Sequence, residues 1–532
     1  MEPVLIAGAG PVGLLTALLL ARWQVPTVVL EAAQAGAAAA GSRAICFQRD
    51  VLDIFDRVGC ADDMVSEGVT WTTGRTFYRE HELFTVTFPD PGASVLPPWI
   101  NLSQDRAERL LHAKASAEPL IDLRFGHQIV GVKADGGGVV VTARAGQRRA
   151  DVGGSHLVGA DGARSAVRQL LGIGFPGESY EDQFLICDIK ASLPFPNERR
   201  FFFDPSWNPG RQVLVHQCPG GVWRIDWQVP SGFNLAAERG DGGLDARVRQ
   251  ITGGVPYEIV WATAYRFHER VADSFGAGRV FLAGDAAHLY APFGARGLNS
   301  GAQDAENLAW KLAFVKRGWS PPDLLDSYHA ERAAAAAENL KVTTTTMDFL
   351  VPRTDERRRW RTEVLDRAVT DQAARKLIDS GKLAEPFWYT ASPLTTPGPP
   401  LTGFPIAPGA IRPPVPGVLC PDGPLNGGIG RLRRLFGDGF VILTQRAADR
   451  VAVAELASSE IAAPVRCYPL ADIDATGAAR QSLEATGDSI HIIRPDGHLA
   501  AVLPRLDPAP IIAALRRAAG MRATPTSMRP VS

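Results

Sequence analysis

Residues 4–31 read Val4-Leu-Ile-Ala-Gly8-Ala-Gly10-Pro-Val-Gly13-Leu-Leu-Thr-Ala-Leu-Leu-Leu-Ala-Arg22-Trp-Gln-Val-Pro-Thr27-Val-Val-Leu30-Glu31. Val4–Ala7 has strand length and composition, Leu14–Arg22 has helical composition, and Thr27–Leu30 is a second β-branched run that ends at an acid. Three glycines at the spacing GxGxxG separate the first strand from the helix. Gly8 permits the tight turn, Gly10 lets backbone N–H groups approach a pyrophosphate, and Gly13 lets the helix pack on the strand. The helix N-terminus then presents its positive end to the phosphates. Glu31 is placed to accept from a ribose hydroxyl. Strand, glycine turn, helix, strand and acid together predict a dinucleotide-binding β-α-β unit. The apolar run Val4–Leu20 is broken by four turn residues, so it predicts this unit and not a membrane span.

Two further strand ends downstream carry turn chemistry of the same kind. Gly159-Ala160-Asp161-Gly162-Ala163-Arg164-Ser165 follows an apolar run and precedes a helix expected over Ser165–Leu171. Val280–Ala283 runs into Gly284-Asp285, where a carboxylate at the end of a buried strand can take a ligand hydroxyl. Then Pro292-Phe-Gly-Ala-Arg296-Gly297-Leu298-Asn299 leads into a helix over Asn299–Lys316. Its glycines allow backbone to approach a flat ring, and its helix start favours negative charge.

Composition agrees with a folded protein acting on small molecules. The 532 residues exceed one core, and apolar residues at 45% exclude a largely disordered chain. With 56 Lys and Arg against 57 Asp and Glu, nothing in the charge draws the chain to nucleic acid or an anionic membrane. Six scattered cysteines without a CxxC pair exclude a dithiol centre or zinc knuckle and fit a reducing cytoplasm. Helices are expected over Ser42–Gly59, Gln104–Ala117 and Pro321–Leu350, and strands within Val69–Phe88. Ile121–Phe125, Gln128–Lys133 and Val139–Ala143 read as a β-meander. Phe184–Ile189, Arg200–Phe203, Gln212–Gln217, Gly221–Gln228 and Glu258–Phe267 form a mostly β segment between two α/β segments. Pro and Gly density marks a linker over 393–416. Beyond it, Gly439–Leu443, Val451–Ala454, Ser489–Ile493 and Leu499–Leu503 are strand candidates, the last two a hairpin. Arg516–Ser532 reads as a loose tail.

At the three ordered motifs the chain resembles the FAD-dependent aromatic hydroxylases, the group A flavoprotein monooxygenases of para-hydroxybenzoate and phenol hydroxylase type. The resemblance covers about Val4 to Arg332. Arg43-Ala-Ile, Pro97-Pro-Trp-Ile-Asn-Leu102 and the appended C-terminal segment look most like the 3-(3-hydroxyphenyl)propionate hydroxylase group. The resemblance implies an α/β fold: a Rossmann-like FAD domain, an inserted β-rich substrate domain that covers the flavin, and a C-terminal thioredoxin-like domain. The expected divisions are 1–75, 101–180 and 271–392 for the FAD domain with a helical segment, 76–100 and 181–270 for the substrate domain, 393–416 for the linker, and 417–532 for the last domain. It implies that Gly8, Gly10 and Gly13 hold the FAD pyrophosphate and Glu31 the adenosine ribose. Arg43 and Gln104 match positions near FAD. Asp161 and Gly162 match a motif associated with FAD and the passing nicotinamide, and Asp285 matches the residue on the ribityl chain. Pro292, Gly297, Leu298 and Asn299 would line the isoalloxazine. Arg296 stands where Gln is frequent in the group.

The implied reaction uses NADH or NADPH to reduce FAD. Reduced FAD takes O2 to a C4a-hydroperoxide, which hydroxylates a phenolic or related aromatic substrate. No metal, nucleic acid or membrane is implied, and a homodimer through the C-terminal segment is one expected assembly. A tailoring or antibiotic-modifying hydroxylase with a polycyclic substrate, a flavin oxidase, halogenase or dehydrogenase, and a flavoprotein acting through interaction are the alternatives. Individual catalytic residues are not legible. His216, His288 and Tyr290 are candidate proton relays, each with a structural role as the competing reading, and packing competes for the aromatic side chains of 201–227. Cys420 lacks a partner two residues on, so a structural or dimer-contact role is expected.

Overall fold

The computed structural model describes residues 1–36, 44–88, 96–398, 401, 404, 412–426 and 428–521. Strand Val4–Ala7 is fully buried and lies between two parallel neighbours, His156–Gly159 and Thr27–Glu31. Such two-sided burial is what its unbroken apolar sequence requires. The six-stranded sheet runs Gly276–Ala277, Val280–Leu282, His156–Gly159, Val4–Ala7, Thr27–Glu31, Ile121–Phe125, parallel except for the first. Helices Pro11–Arg22 and Gln104–Ala117 pack on it, and helix Arg296–Lys316 packs on Pro11–Arg22.

An eight-stranded sheet stands over the carboxyl ends of these strands. Its order is His288–Leu289, Tyr257–Val271, Gly177–Ala191, Val222–Val229, Gln212–Cys218, Arg199–Phe203, Thr73–Tyr78, His81–Thr87. One face, with Trp223, Ile225 and Trp227, packs against helix Gly243–Thr252 through Leu244 and Val248. The other face meets the loop that starts the Arg296 helix, where Phe293 contacts Phe184, Phe201 and Phe267.

The C-terminal part has a four-stranded sheet in the order Val465–Pro469, Phe440–Thr444, Ile490–Ile493, Leu499–Leu503. The first pair is parallel and the others antiparallel. It docks on the first part through buried ion pairs. Arg433 meets Asp50 and Asp53 at 2.6 and 2.7 Å, Arg431 meets Asp53 and Asp56, and Arg494 meets Glu331 at 2.5 Å. Within the 393–416 stretch, Arg412 bridges Asp50 and Glu385. Among the described residues no helix is long and apolar enough to cross a membrane.

Several expected elements differ. Ile121–Phe125 is not part of a meander; it is the parallel edge strand beside Thr27–Glu31, and Gln128–Ala134, Val139–Ala145 and Arg148–Gly154 form the antiparallel trio. Ser42–Gly59 is not one helix. Cys46–Gln48 is a strand paired with Trp99–Asn101, and the helix is Arg49–Arg57. Val451–Ala454 lies in helix Asp449–Glu460: Val453 and Ala457 are buried while Val451 is 62% exposed, a helical period that the alternation of Val and Ala conceals. Strand Val465–Pro469 was not expected. Helix Pro508–Ala518 takes the first residues of the expected tail, whose end lies outside the described residues.

Candidate active site

The three glycine motifs meet at the carboxyl ends of three adjacent parallel strands, with Ala7 beside Gly159 and Gly159 beside Leu282. This is where open α/β sheets bind ligands. Gly8 has φ +97°, and a Cβ there would lie 2.6 Å from the Ala160 carbonyl oxygen. A Cβ at Gly13 would lie 2.0 Å from the Gly8 carbonyl oxygen. Both glycines are therefore fixed by the fold. Gly10, Gly162 and Gly297 differ: a Cβ at any of them would meet nothing within 4 Å. Pro11 starts the first helix, and no side chain caps it at Gly10, so the amides of its first turn are left for a ligand. The Glu31 carboxylate accepts from the Ala9 and Ala33 amides, each at 2.8 Å.

Asp161 accepts from Ser165 Oγ at 2.5 Å and from the Val167 amide at 3.1 Å, and so caps helix Ala166–Leu170. Arg168 donates to the Ala163 carbonyl at 2.9 Å and the Ala286 carbonyl at 2.8 Å, which ties the second motif to the third. Asp285 sits half-buried in the turn Gly284–Ala286. Behind it, Asp304 accepts from the Gly284 amide at 2.9 Å, His288 Nε2 at 2.7 Å and Arg332 Nε at 2.6 Å. Burial pushes the Asp304 carboxyl up, but His288 and Arg332 outweigh burial and hold it at about 2.

The loop before the Arg296 helix is built on positive φ, +92° at Gly294 and +56° at Ala295. Asn299 fastens it to the strand Cys46–Gln48: its amide donates to the Cys46 carbonyl at 2.9 Å and its Oδ1 accepts from the Gln48 amide at 3.2 Å. Arg296 does not aim its charge at the open side of this loop. It donates to Asn339 at 2.5 Å and to the Lys382 and Leu383 carbonyls, so it holds the 382–383 segment. Gln104 braces the Ala44 amide at 3.2 Å. Arg43 lies outside the described residues.

Strand register arranges the facing side of the eight-stranded sheet in rows. One row is polar: His216, Arg224, Asp188 and Trp261, continued by Arg199. Arg224 and Asp188 form a bidentate pair at 2.8 Å. The next row is Phe201, Leu214, Asp226, Ile186 and Thr263. Asp226 is the one carboxylate in that row. Its Oδ1 is buried without a hydrogen-bond partner among the described residues. Burial raises its carboxyl to about 7, with Arg224 opposing and Asp188 reinforcing. Arg199 donates to the Ser380 carbonyl and has no carboxylate within ion-pair distance among the described residues. Burial, with Arg199 and Arg224, pushes His216 down to about 3, so it is neutral.

Of the three relay candidates, only His216 stands in these rows. His288 is locked to Asp304, and Tyr290 stacks on His288 at 4.8 Å, so both belong to the supporting network. Sequence reasoning missed Asp226 and Arg199. The signal for Asp226 was the period-two pattern of Val222–Val229, which puts Arg224, Asp226 and Gln228 opposite Trp223, Ile225 and Trp227.

A family model described as FAD binding domain matches residues 1–343. The chain belongs to this family of FAD-binding proteins. It is 32% identical over 360 residues to pentachlorophenol 4-monooxygenase of Sphingobium chlorophenolicum, which covers 64% of this chain and 63% of that protein. It is 31% identical over 348 residues to a 3-(3-hydroxy-phenyl)propionate/3-hydroxycinnamic acid hydroxylase of Mycobacterium sp. (strain JLS), over 64% of this chain and 59% of that one. The match thus spans about three-fifths of these curated relatives. The crystal structure of a ternary complex of aklavinone-11 hydroxylase with FAD and aklavinone is similar over 98% of this chain and 99% of that one, with TM-score 0.78 and 25% identity.

Proposed function

We propose that the protein is an FAD-dependent monooxygenase that uses NADH or NADPH and O2 to hydroxylate an aromatic ring bearing a hydroxyl. The observation that carries the substrate class is Asp226, a half-buried carboxylate whose Oδ1 is buried without a partner among the described residues, set between Leu214 and Ile186 on the face that meets the Pro292–Asn299 loop. Such an oxygen calls for a donor from the substrate.

The residues fit an FAD. Open space at Gly10, Gly162 and Gly297, the uncapped amides of Val12 and Gly13 and a carboxylate at Glu31 match its pyrophosphate, ring and ribose. Asp285 takes the ribityl chain, and Pro292, Gly297, Leu298 and Asn299 line the ring. When bound, FAD supplies hydride acceptance and oxygen transfer. The chain does the rest. Leu214, Ile186 and Phe201 hold the flat face of the substrate and exclude water. Asp226 accepts the hydrogen bond of its hydroxyl and takes the proton as charge develops on the ring. Arg199 and Arg224 supply positive potential for the resulting oxyanion.

The C-terminal part is read as a thioredoxin-like domain. Its β-α-β start over 440–469, the antiparallel hairpin 490–503 and the closing helix support that reading. Cys420 is buried, and burial pushes its thiol well up, which suits a structural role.

A second reading, a polycyclic substrate, is supported by the aklavinone hydroxylase complex, whose structure is similar over 98% of this chain and 99% of that one. The test is NAD(P)H oxidation by the flavin-loaded protein with simple phenols, their deoxy analogues and polycyclic phenols, with peroxide and product both measured. The proposal expects a phenol to give product and its deoxy analogue to give peroxide. Peroxide alone from every phenol refutes it.

A further inference from the structure

A cavity of about 610 Å³ lies between the eight-stranded sheet and the helices Asp326–Leu350 and Asp355–Ala368. Its walls include Tyr78 and Tyr180 from the sheet, Leu350, Val351 and Leu365 from the helical side, and Arg361. That size suits a small organic ligand.

Arg361 is only 6% exposed. Its Nε and Nη2 are buried without a hydrogen-bond partner, and no carboxylate lies within ion-pair distance among the described residues. The guanidinium rests on the rings of Phe203 and Phe349, at 5.5 and 6.0 Å. Of the other charged groups of the cavity, all but the exposed Glu181 have partners among the described residues. Asp182 accepts from Gln228 at 2.6 Å and faces Arg211 at 3.6 Å, and Asp204 faces Arg79 at 3.3 Å. Arg353 pairs with Glu178, and Arg358 pairs with Asp355 at 2.6 Å. Tyr78 donates to Asp366 at 2.7 Å and Tyr180 to Glu269 at 2.6 Å. Glu181 also lines the cavity. Burial lowers Arg361 to about 10, with Asp204 opposing, so it stays charged at neutral pH. A buried guanidinium with unpartnered N–H groups is costly, and a neutral replacement removes that cost.

We infer that this cavity is a binding site for a ligand carrying a carboxylate or phosphate, which the Arg361 guanidinium receives while Tyr78, Leu350 and Leu365 cover its apolar part. The planar fork of a guanidinium matches either anion. The site is distinct from the Pro292–Asn299 loop: no residue of that loop lines the cavity, and the loop meets the sheet through Phe293 packed on Phe184 and Phe201. The inference does not depend on the reaction proposed above.

The test is calorimetric titration of the flavin-loaded protein, wild type, Arg361→Met and Arg361→Lys, in a buffer without phosphate. The probes are 3-phenylpropionate, 3-phenylpropionamide and inorganic phosphate. The wild type is expected to bind the acid at least 10-fold more tightly than the amide, or to bind phosphate. R361M should bring acid and amide within about twofold and abolish phosphate binding, and R361K should keep part of the preference. R361M should also unfold at or above the wild-type temperature when no anion is present. A preference for the acid alone assigns an aromatic carboxylate; phosphate binding alone assigns a phosphorylated ligand. Equal binding of acid and amide with no phosphate binding in the wild type overturns the inference. So does a preference that survives in R361M, or an R361M that unfolds earlier with binding unchanged.

Discussion

Replacing Asp226 by Asn removes a titration that the fold makes unfavourable. Its carboxyl stands at about 7 in the folded protein against 3.8 as a free group. A carboxyl raised on folding contributes stability that is present at low pH and is lost as pH rises from about 4 to about 7, because the folded state then holds a proton that the unfolded state has released. At about 1.4 kcal/mol per pH unit, the loss reaches about 4 kcal/mol by pH 8. Asn keeps the shape and carries no charge. D226N is therefore expected to gain on the wild type by about 4 kcal/mol between pH 4 and pH 8. If the chain unfolds as one unit, its length makes that about 4 °C in melting temperature. Thermal unfolding of the apo-protein at half-unit pH steps measures it. The same variant should bind a phenol at least 10-fold more weakly at pH 8, read from the visible spectrum of the bound flavin, because the acceptor for the hydroxyl proton is gone. Parallel melting curves for the two proteins across the pH range would refute the argument that the fold raises the Asp226 carboxyl.

Other variants separate the glycines by role. Gly10→Ala should leave the apo-protein within about 0.5 kcal/mol of wild type yet lower FAD content after purification, since its Cβ enters only open space. Gly13→Ala, whose Cβ would press on the Gly8 carbonyl, should destabilise the apo-protein by about 1–3 kcal/mol in urea unfolding. Asp304→Ala strands His288 and Arg332 and frees the Gly284 amide, so a loss of about 3–5 kcal/mol and weaker FAD retention are expected from denaturant titration and flavin fluorescence. Cys420 should resist thiol reagents in the native protein, and Cys420→Ser should keep turnover within about twofold; rapid labelling of the native thiol would contradict its burial.

The parallel sheet and its motifs were legible because their signals are local. A glycine turn, a helix start and a strand end within a dozen residues encode the ligand-facing end of Val4–Ala7 directly. The roof was legible as strands but not as a surface. Which face of Val222–Val229 meets the Pro292–Asn299 loop depends on where helix Gly243–Thr252 packs, and that is a tertiary fact. Asp226 therefore had no visible claim over His216 or His288 until the register was known. His288 looked available in sequence because its partner, Asp304, is sixteen residues away on another element. The strand Cys46–Gln48 escaped for the same reason, since its pairing partners lie at Trp99–Asn101 and its anchor at Asn299. Arg296 looked like a change of charge beside the ring, but the segment that absorbs it, 382–383, could not be placed from sequence.

The measurement that bears most directly on the account is turnover of the flavin-loaded protein under ¹⁸O2, with NADH or NADPH and the phenol that most stimulates cofactor oxidation. The account predicts a hydroxylated product carrying one ¹⁸O atom, in amounts that track NAD(P)H consumed, and a large shift to hydrogen peroxide in D226N. Product without label, or peroxide as the sole product for every aromatic compound that stimulates oxidation, would contradict it.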